Sequence, residues 1–324
     1  MDDGLKRLAA GVAVGIAVLA LVALPQWRDP EVIDLTEPDS SMFPGAYVDL
    51  THGHSRYVLQ GPAEGQPVLL VGGLTTSLEF FDALAADLNE AGFQTLQFDL
   101  YGRGGSARPT DVGYGQQTYV EQIDDLLREL NISQGVHIVG QSLGGGIAVA
   151  WAIENPARVR SLSIHASAGY LEELPPGSGL INIPLLGDYV WWWIGNGFVT
   201  GNVANYFAEP EKNNGAIAAL HDQFAAAEKV DGYRAAVLST IRNFGANNMK
   251  DQFSQLSAST IPTQIIWGRA DALIPVSSSA KLLEWIDGTP DLIVLDGIGH
   301  MPLLEDPDQV HDLVSAHALK NQGD

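Results

Sequence analysis

Val136-His137-Ile138-Val139-Gly140-Gln141-Ser142-Leu143-Gly144-Gly145-Gly146-Ile147-Ala148-Val149 places a serine between two glycines, at the point where one apolar pattern gives way to another. Residues 136–139 form a short, mainly apolar run of the kind a buried parallel strand requires, and residues 143–149 carry the small and apolar side chains of a packed helix. A serine on the sharp turn between such elements presents its hydroxyl at the carboxyl edge of a sheet, which is the mechanical content of the pattern G-x-S-x-G. Gly140 and Gly144 omit side chains that would collide with the turn and with the neighbouring strand. The helix N-terminus behind Ser142 favours negative charge developing there. Ser142 is therefore the candidate nucleophile.

Outward from this turn, short apolar runs alternate with helical segments. Residues 68–71, 95–98, 137–139, 162–165, 264–267 and 292–295 read as strands, and residues 80–91, 118–130, 143–153, 277–285 and 308–319 as helices. The β-α-β-α order predicts an α/β fold with a mostly parallel, doubly wound sheet. Before it, residues 46–60 alternate apolar and polar positions around Thr51-His52-Gly53-His54, which predicts a hairpin with Gly53 in its turn. One stretch breaks the rhythm. Residues 169–250 contain a Pro/Gly-rich lead-in, the cluster Trp191-Trp192-Trp193 and helical segments such as 215–229, without a convincing strand. This predicts a helical lid inserted between two parts of the core, residues 46–168 and 251–324.

A serine nucleophile needs a base, and the base needs an orienting acid. Of the eight histidines, His300 follows the strand 292–295 by the short loop Asp296-Gly297-Ile298-Gly299. That places it at the carboxyl edge of the sheet, where open α/β folds bind ligands. Asp271, in Trp267-Gly268-Arg269-Ala270-Asp271, follows the preceding strand in the same manner, and the strand before that ends without a carboxylate. The chain order Ser, Asp, His is the one this elbow calls for. The oxyanion hole is expected from the backbone N–H groups of Leu143 and Leu74, with Gly73 letting the backbone come close to substrate. Asp99 reads as a structural partner of the glycine-rich loop 102–106. His52 and His54 have no third ligand nearby, so no metal is expected, and the chemistry requires no organic cofactor.

These motifs together resemble the α/β-hydrolase superfamily, specifically its lidded bacterial carboxylesterases and lipases, over residues 46–319. The segments V-L-L-V-G-G-L (68–74), D-L-Y-G-R-G-G-S (99–106), G-Q-S-L-G (140–144), W-G-R-A-D (267–271) and G-I-G-H-M-P (297–302) appear in the family's order. The resemblance implies a Ser142-His300-Asp271 triad, an acyl-enzyme intermediate and carboxylic ester substrates. Gly72 departs from many relatives, which have histidine before the oxyanion glycine. Relatives that hydrolyse alkyl halides or epoxides carry aspartate at the elbow, so Ser142 excludes those reactions. Relatives that cleave carbon–carbon bonds often have tryptophan after the histidine, where Met301 stands here. The alternatives are other serine chemistry on the same fold (carbon–carbon hydrolysis, aminopeptidase action, perhydrolysis) or a non-catalytic binding protein.

Specificity is expected to come from the lid, where Trp191, Trp192 and Trp193 offer an apolar acyl or aryl pocket. The 17 Lys+Arg against 39 Asp+Glu give a net charge of −22, which repels polyanions and excludes nucleic acid as a partner. No cysteine is present, which removes disulfides and thiol nucleophiles. The apolar run at residues 8–24, preceded by Lys6 and Arg7, reads as a membrane anchor or signal segment within residues 1–25. The charge placement orients its N-terminus to the cytoplasm and the catalytic part outside, on the periplasmic side of a bacterium, or secreted if the segment is cleaved. Residues 26–45 are acidic and proline-bearing and read as a tether. The expected partners are thus a small ester or lipid substrate and, through residues 1–25, the membrane.

Overall fold

Alternate residues of the strand at Pro67–Val71 enter opposite layers: Leu69 and Val71 join one buried cluster, Val68 and Leu70 the other. A strand buried on both faces needs apolar residues at every position, which is why this run lacks polar/apolar alternation. The computed structural model describes residues 11–12, 30–172, 178–199, 201, 203–287 and 290–322. Its strands are β1 (Ala46–Leu50), β2 (Gly53–Gln60), β3 (Pro67–Val71), β4 (Gln94–Phe98), β5 (Val136–Gln141), β6 (Val159–His165), β7 (Thr263–Gly268) and β8 (Asp291–Leu295). They form one eight-stranded sheet in the order β1-β2-β4-β3-β5-β6-β7-β8. β1 and β2 pair antiparallel, as do β2 and β4, and the remaining pairs are parallel. The helices, in chain order, are α1 (Asp82–Glu90), α2 (Gln116–Glu129), α3 (Leu143–Glu154), α4 (Ser178–Ile181), α5 (Leu186–Val199), α6 (Asn214–Ala227), α7 (Tyr233–Asn243), α8 (Lys250–Ser257), α9 (Ser277–Trp285), α10 (Pro302–Glu305) and α11 (Pro307–Lys320).

The expected α/β architecture is thus present. Every expected strand and core helix is found, with boundaries displaced by at most three residues, the largest shift being the start of β6 at Val159. The hairpin differs in one detail. Its turn is Thr51-His52, and Gly53, at φ 121°, is the first residue of β2, paired with Leu50. Between β6 and β7 the described residues form a helical insertion. Its two ends meet at its base: Gly169 N–H donates to Ala246 O at 2.8 Å and Met249 N–H to Gly169 O at 2.7 Å.

Residues 30–45 have no extended regular element, as their composition implies, yet the described part is not a free tether. The Glu31 carboxylate accepts from the N–H groups of Gly232 (3.0 Å) and Arg234 (2.7 Å) at the start of α7. Leu35 and Phe43 bury against Val230. The anchor or signal segment expected at residues 1–25 lies, apart from Gly11 and Val12, outside the described residues. Among the described residues no helix is long and apolar enough to cross a membrane.

Asp99, fully buried at the end of β4, holds the 102–106 loop as expected. Its carboxylate accepts from Gly105 N–H (2.8 Å), Leu78 N–H (2.8 Å) and the Arg56 guanidinium (3.0 Å). A side chain at Gly104, whose φ is 45°, would overlap that carboxylate. The loop touches the turn after β3, where Arg103 Nε donates to the Leu74 carbonyl.

His137 on β5 is also buried. Gln66 Oε1 can only accept, so His137 Nε2 carries the proton (3.0 Å) and Nδ1 accepts from the Ser161 hydroxyl (2.8 Å). Burial depresses the imidazole from 6.5 to about 4. Across that window the unfolded chain binds a proton that the folded chain refuses. Stability is therefore lost as pH falls, by up to about 1.4 kcal/mol per pH unit from this residue. His137→Gln should remove this component. Urea unfolding of variant and wild type should show their stability difference shrinking as pH is lowered from about 6.5 towards 4, and a difference independent of pH would contradict the assignment.

Candidate active site

Ser142 is the single residue between β5 and α3, and its backbone stands at φ 56°, ψ −118°. Its N–H donates to His165 O at 2.9 Å, and its carbonyl accepts from Gly145 N–H (3.0 Å) and Ala168 N–H (2.8 Å). A Cβ at Gly144 would overlap the carbonyl oxygens of Val71 and Gly72, and one at Gly140 would overlap that of Gly144. The two glycines thus let the turn fold against β3 and onto the first turn of α3.

The loops after β7 and β8 arrive from the adjoining part of the same sheet edge. Arg269 N–H donates to Leu295 O and Ala270 N–H to Ile298 O, both at 2.9 Å, which ties the two loops together. They carry Asp271 and His300, both buried. Asp271 Oδ1 is held by the N–H groups of Leu273 (2.9 Å) and Ile274 (2.8 Å), leaving Oδ2 for His300 Nδ1 at 2.8 Å. The carboxylate accepts, so Nδ1 carries the imidazole proton, and Nε2 is left to accept from the Ser142 hydroxyl at 3.1 Å. The three residues picked from the sequence are therefore joined in one hydrogen-bonded line. Ser142 Oγ can be deprotonated by an imidazole whose resulting charge faces a carboxylate.

Gly73 and Leu74 follow β3 on the other side of Ser142. A Cβ built at Gly73 would stand 3.5 Å from Ser142 Cβ, so this backbone lies directly beside the nucleophile position. Leu143 begins α3, and its N–H and that of Leu74 make no hydrogen bond among the described residues. Beside these groups lies a cavity of about 640 Å³. Its apolar lining includes Leu74, Ala204, Tyr206, Phe207, Leu273 and Met301, and no lysine, arginine, aspartate or glutamate lines it among the described residues.

The tryptophans expected to form the pocket are elsewhere, and that expectation is corrected here. None of the three lines the cavity. Trp191 is buried with Nε1 donating to Arg234 O at 3.0 Å, Trp192 lies under the Arg234 guanidinium at 5.4 Å, and Trp193 is 44% exposed. The insertion's contribution comes instead from residues 204–210. His52 and His54 take separate partners: His52 Nε2 meets Glu121 Oε2 at 3.2 Å, and the His54 ring stands edge-on to Tyr47.

Three contributions were missed in the sequence. Tyr206 carbonyl accepts from His300 N–H at 2.7 Å, and Gln141 Nε2 donates to His300 O at 2.8 Å, so the histidine backbone is gripped from both sides. Glu305 is the third. Its Oε1 accepts from Gly299 N–H (2.9 Å) and Met301 N–H (3.2 Å), flanking His300, while Oε2 accepts from Ala208 N–H (2.8 Å) in the insertion. Burial pushes the Glu305 carboxyl up, these three donors pull it down, and Asp271 nearby adds to the rise. The only signal for Glu305 in the sequence is an acidic residue shortly after His300, which by itself says nothing about Ala208.

The sequence profile described as alpha/beta hydrolase fold matches residues 66–307. The chain belongs to the alpha/beta hydrolase fold family. Among curated alpha/beta hydrolase relatives it is similar to Lipase 1 of Psychrobacter immobilis, with 26% identity over 270 residues, 79% of this chain and 78% of that protein. It is also similar to 2-hydroxymuconate semialdehyde hydrolase of Pseudomonas putida, with 31% identity over 217 residues, 67% of this chain and 73% of that one. Among solved structures, a membrane phospholipase A described as a bacterial virulence factor superposes with TM-score 0.67 at 20% identity, covering 99% of this chain and 97% of that one. This alpha/beta hydrolase is a hydrolytic enzyme with lipase-like and carbon–carbon-hydrolase-like relatives.

Glu305→Gln would put an amide donor where an N–H donor now points, either at Ala208 or at the Gly299/Met301 pair. The expected loss of stability is about 1–2 kcal/mol, toward the low end because solvent screens this half-buried carboxylate. Urea titration of the variant beside wild type checks it, and an unchanged midpoint would mean that Glu305 does not hold the His300 loop to Ala208.

Proposed function

We propose that the protein is a serine hydrolase that cleaves carboxylic esters with an apolar acyl or aryl group. The observation that carries this reading is the line from Asp271 through His300 to Ser142, with contacts of 2.8 and 3.1 Å, opening into an apolar cavity. Ser142 Oγ attacks the ester carbonyl while its proton passes to His300 Nε2. Asp271 holds the imidazole in the required tautomer and faces its positive charge. The N–H groups of Leu143 and Leu74 receive the oxyanion, with the amino end of α3 adding a favourable dipole. The imidazolium then protonates the leaving alcohol and an acyl-Ser142 forms. Water, deprotonated by His300, attacks this acyl group; the carboxylic acid leaves and the Ser142 hydroxyl is restored. The helical insertion acts as the lid of the acyl pocket through residues 204–210.

Similarity to the Pseudomonas putida enzyme makes carbon–carbon hydrolysis the competing reading. A muconate is a carboxylate, and a buried carboxylate requires a cationic or multiply donating partner. The absence of lysine and arginine from the lining of this cavity among the described residues therefore favours a neutral ester. Met301 after the histidine supports the same choice.

The full chain in detergent should turn over p-nitrophenyl esters and react with a fluorophosphonate, and Ser142→Ala should lower turnover by about 10³-fold or more and abolish labelling. Labelling without ester turnover would move the assignment to another serine hydrolase chemistry. No labelling at all would contradict it.

The apolar run at residues 8–24 serves in this reading as an N-terminal membrane anchor. Lys6 and Arg7 lie on the cytoplasmic side and the hydrolase outside the cytoplasm. Support comes from the length of the run and the placement of these charges. On fractionation of expressing cells the protein should remain in the membrane pellet after alkaline carbonate extraction, at full-length mass. A soluble product shortened at its N-terminus would mean secretion after cleavage instead.

A further inference from the structure

Arg103 is fully buried, and among the described residues no carboxylate pairs with it. Its guanidinium is met by neutral oxygens. Nε donates to the carbonyl of Leu74, Nη1 to Gly102 O at 3.3 Å and Nη2 to Thr240 Oγ1 at 2.9 Å. The Thr240 hydroxyl donates to Ala236 O at 2.8 Å, so it accepts from Arg103 and from the Tyr119 hydroxyl at 2.8 Å. An arginine keeps its charge in proteins, and a buried charge without a counterion is destabilising. Its place in the fold suggests what offsets that burden.

The turn after β3 has three groups that could aim in more than one direction. Gly73 N–H is bound by Thr76 Oγ1 at 2.7 Å, and the Leu74 carbonyl is bound by Arg103. The group between them, Leu74 N–H, is left uncommitted among the described residues. We propose that Arg103 is a positioning residue for the oxyanion hole. Arg103 fixes the Leu74–Thr75 peptide through its carbonyl while Thr76 holds the Gly72–Gly73 peptide through Gly73 N–H, so that the Gly73–Leu74 peptide between them presents Leu74 N–H to the reacting carbonyl, and the guanidinium adds a positive charge without a carboxylate partner near the place where negative charge develops in the transition state. Because Thr240 lies on α7, the arginine also makes this geometry depend on the docking of the helical insertion. The assignment rests on Ser142 acting as nucleophile with Leu74 as an oxyanion donor. Arg103 does not line the cavity and is not expected to touch the substrate.

A positioning role of this kind acts on the transition state and leaves ground-state binding alone. The test compares wild type, Arg103→Met, Arg103→Ala and Thr240→Val as full-length protein, with kcat and KM for a neutral p-nitrophenyl ester, the rate of fluorophosphonate labelling, and the thermal midpoint. Arg103→Met should lower kcat by about 10- to 100-fold with KM changed less than about threefold, less than the loss from deleting an oxyanion donor outright. Labelling should slow in parallel, because the phosphoryl oxygen uses the same donors. Guanidinium ion at millimolar concentration should restore part of the kcat of Arg103→Ala. Thr240→Val keeps the guanidinium but removes one of its anchors in nearly the same volume, and should give a smaller fall of about three- to tenfold, again in kcat. A rise in KM at constant kcat overturns the proposal. So does a loss of kcat accounted for by loss of folded protein in every variant, or a Thr240→Val enzyme that folds and is fully active. If wild type itself fails to label at Ser142, the reading beneath the proposal falls and takes it along; labelled wild type with unaffected Arg103 variants overturns the proposal alone.

Discussion

A non-glycine residue held at φ 56°, ψ −118° is strained by about 1–3 kcal/mol, and the strand-to-helix turn at Ser142 exists only because its surroundings over-determine it. β5 fixes the turn from one side through the sheet, α3 from the other, and the N–H and carbonyl of Ser142 are both committed to β6 and the segment beyond it. The close approach of Gly144 to the carbonyls of Val71 and Gly72 locks the start of α3 against the end of β3. From this one constraint follow the exposure of the serine hydroxyl at the sheet edge and the nearness of the β3 turn to it. The alignment of a helix N-terminus directly behind Ser142 follows as well.

Around that fixed point the remaining groups are brought in by separate parts of the chain, each held through its backbone. The His300 loop is gripped by Gln141, by Tyr206 and, through its neighbours, by Glu305, so the imidazole direction does not depend on its two side-chain hydrogen bonds alone. Asp271 is held by two N–H groups on the oxygen that does not face the histidine. Preorganisation of this sort matters because dipoles already aimed at the developing charge need no reorganisation at the moment of reaction.

The helical insertion is integrated with the site more closely than a loosely attached cover would be. Ala208 shares a carboxylate with the His300 loop, Thr240 shares a guanidinium with the turn after β3, and Glu31 ties the chain's acidic lead-in to the start of α7. Each link is made by a polar side chain, two reaching backbone N–H groups and one a threonine hydroxyl. A shift of the insertion is therefore felt both at the His300 loop and at the Leu74 turn on the other side of Ser142.

The order of elements, the elbow and the three residues of the Asp-His-Ser line were legible in the sequence. Local periodicity decides strand or helix, and a tight turn demands glycine at defined neighbours; both requirements are written within a few residues. Gly53 was misplaced by one position because an alternating pattern marks a hairpin without fixing its turn. Trp191, Trp192 and Trp193 signalled apolar surface, but which layer a helix face covers is decided by its packing partners, here Arg234 on α7. Ala208 and Glu305 are 97 positions apart, Arg103 and Thr240 137, Glu31 and Arg234 203. Contacts over such separations have no local signature, because they depend on how whole elements dock. By itself the sequence determined the sheet, the turn that carries Ser142 and the loops that carry its partners. The tertiary structure alone decided what lines the cavity, what holds His300 and what binds the turn after β3, since those are properties of surfaces that meet only once the layers have packed.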